Sequence, residues 1–175
     1  MNVQTPANRS TAVCFLRRSE GEIAFTYYAT DAGGAPDVLN GNFQERRAAK
    51  LASRPSSELS FVTEMLAEKR VPEATLSVSL IDQDSVWVGF IYQDTLFVRA
   101  SSWKTVDVRE SIMAVMELAE TLECENVAFC VPKTANEAQH LIRDLLMVGF
   151  ELIHPAFKQL GASVQEKYIC VGMEA

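Results

Sequence analysis

The stretch Glu110–Pro155, ESIMAVMELAETLECENVAFCVPKTANEAQHLIRDLLMVGFELIHP, decides the fold. It alternates helix, strand, helix, strand with few residues between the elements. The first helix is expected to begin near Asp107. The Asp107 carboxylate can accept from an orphan backbone N–H one turn in, and Glu110 three residues later completes a capping box. Ile112, Met113, Met116, Ala119 and Leu122 recur at three- and four-residue steps and predict one apolar stripe. Glu117, Glu120 and Glu123 fall opposite that stripe, where three like charges repel mildly. That face reads either as a solvated surface or as a docking surface for a basic partner. Thr134-Ala135-Asn136-Glu137 reads as a capping box for the second helix. Ala138, Leu141, Ile142, Leu145 and Leu146 are its expected buried stripe, and Gly149 its left-handed terminator. Between the helices, Val127–Val131 is a continuous apolar run, as in a strand covered on both faces. Phe150–Ile153 is a second strand, stopped by Pro155.

Working outward, Leu76–Leu80 alternates with period two and predicts a strand with one wet face. Asp82–Ser85 is a polar turn, Val86–Tyr92 a strand, Gln93-Asp94 a two-residue hairpin turn, and Thr95–Ala100 the returning strand. Tyr168–Met173 predicts a strand near the C-terminus. Strands followed by two helix–strand units make an α/β fold: a mixed β-sheet with two main helices packed on it. The N-terminal part differs in texture. Ser10–Leu16 and Ile23–Ala29 suit short strands, Asp31–Pro36 breaks regular structure, and Phe43–Ala52 suits a basic helix ended at Ser53–Ser57. The expected division is a loosely ordered segment at 1–58 and a compact α/β domain at 59–175.

Charge follows the same division. Residues 1–58 carry seven Lys/Arg and six Asp/Glu, and residues 59–175 carry nine and seventeen. The net charge of the chain is −7. An acidic domain repels phosphates, so nucleic acid is not an expected partner. It suits a basic protein surface through steering and complementarity. Apolar residues make up 48% of the 175, enough for a sizeable core. No apolar run approaches a membrane span and no signal peptide opens the chain, so no membrane partner is expected. Asn8-Arg9-Ser10 is then an accidental glycosylation sequon. Cys14, Cys124, Cys130 and Cys170 lack zinc spacing and read as reduced, mostly buried thiols.

Enzyme chemistry has little support. His140 and His154 are the only histidines, one in a helix and one before a proline. No metal-ligand cluster appears, and nothing joins a Ser or Cys to a base. Strand–helix–strand–helix ending in Met-Val-Gly-Phe-Glu resembles the C-terminal half of GNAT acetyltransferases. Those enzymes hold the acetyl-CoA pyrophosphate on a glycine-rich turn opening a helix. The matching stretch, Arg99–Asp107, has no glycine, and its helix start bears carboxylates that would repel an anion. An acetyltransferase-like fold lacking the acetyl-CoA-binding turn is therefore expected, with no cofactor.

A further resemblance accounts for both facts. Glu110-Ser111, Glu117-Leu118-Ala119-Glu120, Cys130, Lys133 and Gly149-Phe150-Glu151 followed by Pro155 stand in the order found in ornithine decarboxylase antizymes. Leu96-Phe97-Val98, Trp87 and Ser60-Phe61-Val62-Thr63-Glu64 resemble upstream elements of that family, the last its first strand. The resemblance covers roughly residues 59–175. It implies a non-enzymatic protein that binds ornithine decarboxylase monomers, blocks the active homodimer and delivers the enzyme to the proteasome without ubiquitin. It also implies lowered polyamine uptake, sequestration by antizyme inhibitor, a frameshifted message and a cytoplasmic protein that also enters the nucleus. Partner contacts carried over by resemblance are Arg109, Glu117, Glu120, Lys133 and Ile153. Thr121 stands where the family often has another glutamate. The alternatives are a GNAT-like N-acetyltransferase and a non-catalytic acidic adaptor for another basic partner.

Overall fold

The computed structural model describes residues 11–18, 20–28, 37–38, 56–67, 69–80, 86–100, 108–154, 160–161 and 164–175. The sequon, the breaker at 31–36, the basic helix at 43–52, the turn at 82–85, Asp107 and Pro155 lie outside them. So does most of the Arg99–Asp107 stretch. In chain order the strands are β1 Thr11–Arg18, β2 Gly21–Tyr28, β3 Asp37–Val38, β4 Ala74–Leu80, β5 Val86–Tyr92, β6 Thr95–Ala100, β7 Asn126–Pro132, β8 Glu151–Leu152 and β9 Tyr168–Glu174. The helices are α1 Ser56–Met65, α2 Val108–Thr121, α3 Ala138–Val148 and the single turn α4 Val164–Lys167.

One sheet orders the described strands β3-β2-β1-β4-β5-β6-β7-β9-β8. Only β6–β7 is parallel among these pairs, and α2 supplies the crossover that a parallel pair requires. Strand β1 pairs with β4 from Ala12↔Leu80 to Arg17↔Thr75, so the sheet runs across residue 58.

Alternate residues of the central strands feed two cores. On β7, Val127, Phe129 and Val131 face a core shared with α2 and α3. Ala128 and Cys130 face a second core with Phe61 and Met65 of α1, and with Leu160 and Val164. All five residues from Val127 to Val131 are at most 1% exposed, which bears out a strand covered on both faces. The second core is aromatic: Phe90 stacks on Phe97 at 4.8 Å, and Phe61 tilts against Phe90 at 5.3 Å. All four cysteines are buried and unbridged.

Gln93 and Asp94 form the expected hairpin, both in the left-handed region at φ 47° and 59°. The pair is anchored from outside. Glu73 Oε1 accepts from Gln93 N at 2.9 Å, and Asp94 O accepts from the backbone N–H groups of Glu125 and Asn126. Gly149 closes α3 at φ 118°, with Gly149 N donating to Leu146 O and Phe150 N to Leu145 O. That is the doubled bond of a Schellman ending.

Several expectations need correction. Ser60–Glu64 is helix, in α1, rather than a first strand. Phe-Val-Thr favours a strand by propensity, but Phe61 and Met65 stand one turn apart, and helical spacing buries both against the sheet. Leu76–Leu80 has no wet face at Ser77, which is fully buried because α1 covers β4 there. The Thr134 capping box does not form. Residues 133–137 make turns, with Ala135 N bonded to Pro132 O and Ala138 N to Ala135 O. The helix starts at Ala138 without a side-chain cap. The α2 stripe is borne out in part: Ile112 and Ala119 are buried and Met116 and Leu122 pack against the first core, but Ala114, Val115 and Leu118 are buried beside them and Met113 is exposed. In α3, Ile142 is half-buried and Leu146 exposed, leaving Ala138, Leu141 and Leu145 as the buried line. The strand at Phe150–Ile153 shrinks to the two residues of β8.

Candidate functional site

The acidic face sits on α2. Ile112, Val115, Leu118 and Ala119 seat the helix on the first core, which turns Glu120 to solvent. Glu117 does not share that exposure. It is half-buried and its Oε1 is inaccessible, although the sequence reading placed it opposite the packed face. A helical step of three residues turns a side chain only about 60° from its predecessor, so Glu117 lies closer to the packed edge. Thr121 Oγ1 donates to the Glu117 carbonyl at 2.9 Å, within the last turn. The turn that follows the helix contains Glu123, a non-glycine residue at φ 58°. Cys124 N donates to Ala119 O and Glu123 N to Glu120 O. Arg109 lies in the first turn of α2, and its side chain is outside the described residues.

Lys133 and Ile153 meet elsewhere. Both line a groove of about 230 Å³ whose other walls include Leu160, Val164, Tyr168 and Cys170. Lys133 follows β7, and its N–H donates to Lys167 O at 2.9 Å. Ile153 follows β8 and is held by its N–H to Cys170 O at 2.9 Å. It packs against the second core and fills the space beside Gly172, where a Cβ would come within 2.9 Å of Ile153 Cδ1. The second core lies on the sheet face opposite α2. The structure therefore brings Lys133 and Ile153 together, brings Glu117 and Glu120 together, and keeps the two pairs on opposite faces.

The sequence reading missed a polar cluster at the C-terminal ends of the parallel strands. Tyr168 OH donates to Glu64 Oε2, Arg99 Nη1 donates to Tyr168 OH at 3.0 Å, and Arg99 pairs with Glu64 at 3.5 Å. The Arg99 guanidinium also lies 5.1 Å from the Phe61 ring centroid. Burial, then the hydrogen bond to Glu64, pushes the Tyr168 phenol up to about 12. A cleft of about 540 Å³ opens beside the cluster. Open α/β sheets use this position for ligands, but here Glu64 and Tyr168 occupy the one arginine donor that the contacts place, Nη1. The cluster acts as a tie between α1, β6 and β9. The only signal for it in the sequence was a charge inside the apolar run Leu96–Ala100. Its partners lie 35 and 69 residues away. His140 and His154 are exposed, and no group of three metal-ligating side chains occurs among the described residues.

Fold and surface thus define a mixed α/β domain with an acidic helix on one face and an apolar groove on the other. Residues 68–175 match the family profile of ornithine decarboxylase antizyme, and the chain belongs to that family. The ornithine decarboxylase antizyme of Schizosaccharomyces octosporus is 24% identical over 170 residues, spanning 80% of this chain and 74% of that one. The antizyme of Schizosaccharomyces pombe is 28% identical over 80 residues, spanning 42% of this chain and 35% of its own. Among solved structures, a Bacillus subtilis acetyltransferase in complex with CoA has 11% identity and a TM-score of 0.37. That match covers 78% of this chain and 95% of the other. Mycobacterium smegmatis RimJ in complex with CoA-disulfide has 16% identity and a TM-score of 0.39, covering 94% and 87%. Likeness at those scores carries no weight for fold or chemistry.

Proposed function

We propose that this protein is a non-enzymatic regulator that binds the ornithine decarboxylase monomer. Binding blocks the active homodimer, whose sites form between subunits, and hands the enzyme to the proteasome without ubiquitin. The single observation that carries this reading is the family match over residues 68–175. The proposed contacts are Arg109, Glu117 and Glu120 on α2, and Lys133 with Ile153 at the groove. Antizyme inhibitor is the proposed competitor, and polyamine synthesis and uptake are the processes lowered. The cytoplasm and the nucleus are the proposed compartments. Among the described residues, no helix is long and apolar enough to cross a membrane.

The two contact pairs can be tested separately because they lie on opposite sheet faces. Ornithine decarboxylase activity is titrated with the full chain and with two variants, Glu120→Lys and Ile153→Asp. Glu120 is exposed and touches no core, so its reversal tests charge alone. The expected loss is about 1 kcal/mol for a rim contact and several for a desolvated one, and high salt shrinks only the former. Ile153→Asp places a carboxylate at the apolar groove and is expected to weaken inhibition at all salt concentrations. Circular dichroism must match wild type in both. Undiminished inhibition by both variants would remove the proposed contact residues, and no inhibition by the wild-type chain would remove the function itself.

A further inference from the structure

Cys130 and Cys170 stand directly opposite each other on the antiparallel strands β7 and β9. Opposed residues on such a pair have Cα atoms about 4.5–5.5 Å apart and side chains on one face. That separation falls within the roughly 4.4–6.8 Å that a disulfide spans. Both side chains lie in the second core, 1% and 7% exposed. The thiols share a hydrogen bond, Cys130 donating to Cys170. The bond lowers the Cys170 thiol from its ordinary value, while burial raises that of Cys130. Access is equally one-sided. Cys170 lines the groove of about 230 Å³, whereas Cys130 does not border it. A peroxide, hardly larger than water, fits a space of that size. Cys124 also lines a cavity, of about 210 Å³, but Cys124 lies between α2 and β7 with no cysteine opposed to it on a strand, and Cys14 is opposed by Phe25 and Val78. Cys14 is on β1 in the first core, and Cys124 follows α2, its thiol pushed up to about 11 by burial and by Glu73 and Asp94.

We propose that Cys170 is a peroxide-reactive thiol, with Cys130 as the resolving thiol that converts its oxidised form into an intrachain disulfide. In the first step the Cys170 thiolate attacks one oxygen of hydrogen peroxide. The O–O bond breaks, sulfur gives up two electrons to become a sulfenic acid, and the second oxygen leaves as hydroxide, which is protonated to water. In the second step the Cys130 sulfur attacks the Cys170 sulfur. The S–O bond breaks, and the departing hydroxide takes up the Cys130 proton as a second water. The product joins β7 to β9 behind Ile153, whose N–H is held by the Cys170 carbonyl. A small-molecule thiol in excess reverses it. This chemistry belongs to the thiol pair and stands whether or not the partner reading holds.

The test uses the full chain. Reduced protein is exposed to limiting hydrogen peroxide, and the products are mapped by peptide mass under non-reducing conditions. The expected result is loss of two hydrogens in one Cys130–Cys170 linked pair, with Cys14 and Cys124 still free thiols. Cys170 should be consumed at least about tenfold faster than Cys124. In Cys130→Ser the sulfenic acid has no resolving thiol, so dimedone should trap it at Cys170. The wild-type map decides the matter by itself if that variant does not fold. Oxidation first at Cys14 or Cys124, or a Cys170 product without linkage to Cys130, would overturn the proposal.

Discussion

Single residues carry the packing constraints most sharply. Gly89 faces the returning strand so closely that an added Cβ would lie 2.5 Å from the Phe97 carbonyl oxygen. Backbone cannot retreat there without breaking the β5–β6 ladder. Gly89→Ala is therefore expected to cost about 1–3 kcal/mol, read as a lower urea midpoint at unchanged slope. Wild-type stability would show that the strands can part. Tyr168 carries a pH dependence whose sign can be worked out. Its phenol is held neutral up to about 12 in the folded protein, while the unfolded chain ionises near 10. Between those values the unfolded state binds fewer protons, so stability is fully present below about pH 10 and declines as pH rises towards 12. Tyr168→Phe should flatten that decline. It should also lower stability at neutral pH by about 1–2 kcal/mol, because Glu64 loses a donor. None of this could be read from the sequence. Glycine tolerance at 89 and the Tyr168–Glu64 bond, 104 residues apart, both depend on which strands become neighbours.

Elements were readable where one periodicity governed, and misread where tertiary cover overrode it. The strands Val86–Tyr92 and Thr95–Ala100 and the turn between them emerge as expected. So does the Gly149 terminator of α3. The α2 stripe holds at Ile112, Met116, Ala119 and Leu122 but misses Ala114, Val115 and Leu118, because apolar residues run unbroken from Ile112 to Met116 and pattern alone cannot say which side of them the sheet takes. Glu117 departs from expectation for the same reason: the burial of Ala114, three residues before it, and of Leu118 brings the packed edge to its side. Ser77 went wrong because alternation announces two faces and does not say whether a helix will cover the second. The end of α2 shows a cost that composition hides. Glu123 holds the left-handed position that helices usually give to glycine. Glu123→Gly is expected to raise stability by roughly 1 kcal/mol by removing that strain. A thermal midpoint unchanged or lowered would mean that the Glu123 side chain makes compensating contacts.

For the whole molecule, the sheet's continuity decides how partner binding must be examined. Strand β1 covers the β4 edge, and Cys14 and Leu16 enter the first core. Removing residues 1–58 would uncover both, so experiments on binding call for the full chain. The family relationship was readable from ordered residues in the α2–β7–α3 region, because those positions lie in one compact stretch. The spatial relation among the proposed contacts was not readable, since sequence order puts Lys133 nearer to Glu120 than to Ile153, while the fold reverses that. Both remaining readings, acetyltransferase and adaptor for another partner, predict an ornithine decarboxylase that is left alone. Light scattering on size-exclusion fractions of ornithine decarboxylase mixed with excess full chain separates them most directly. The predicted result is loss of the enzyme homodimer and one new peak with the mass of a one-to-one heterodimer. An intact homodimer eluting beside free chain would contradict it.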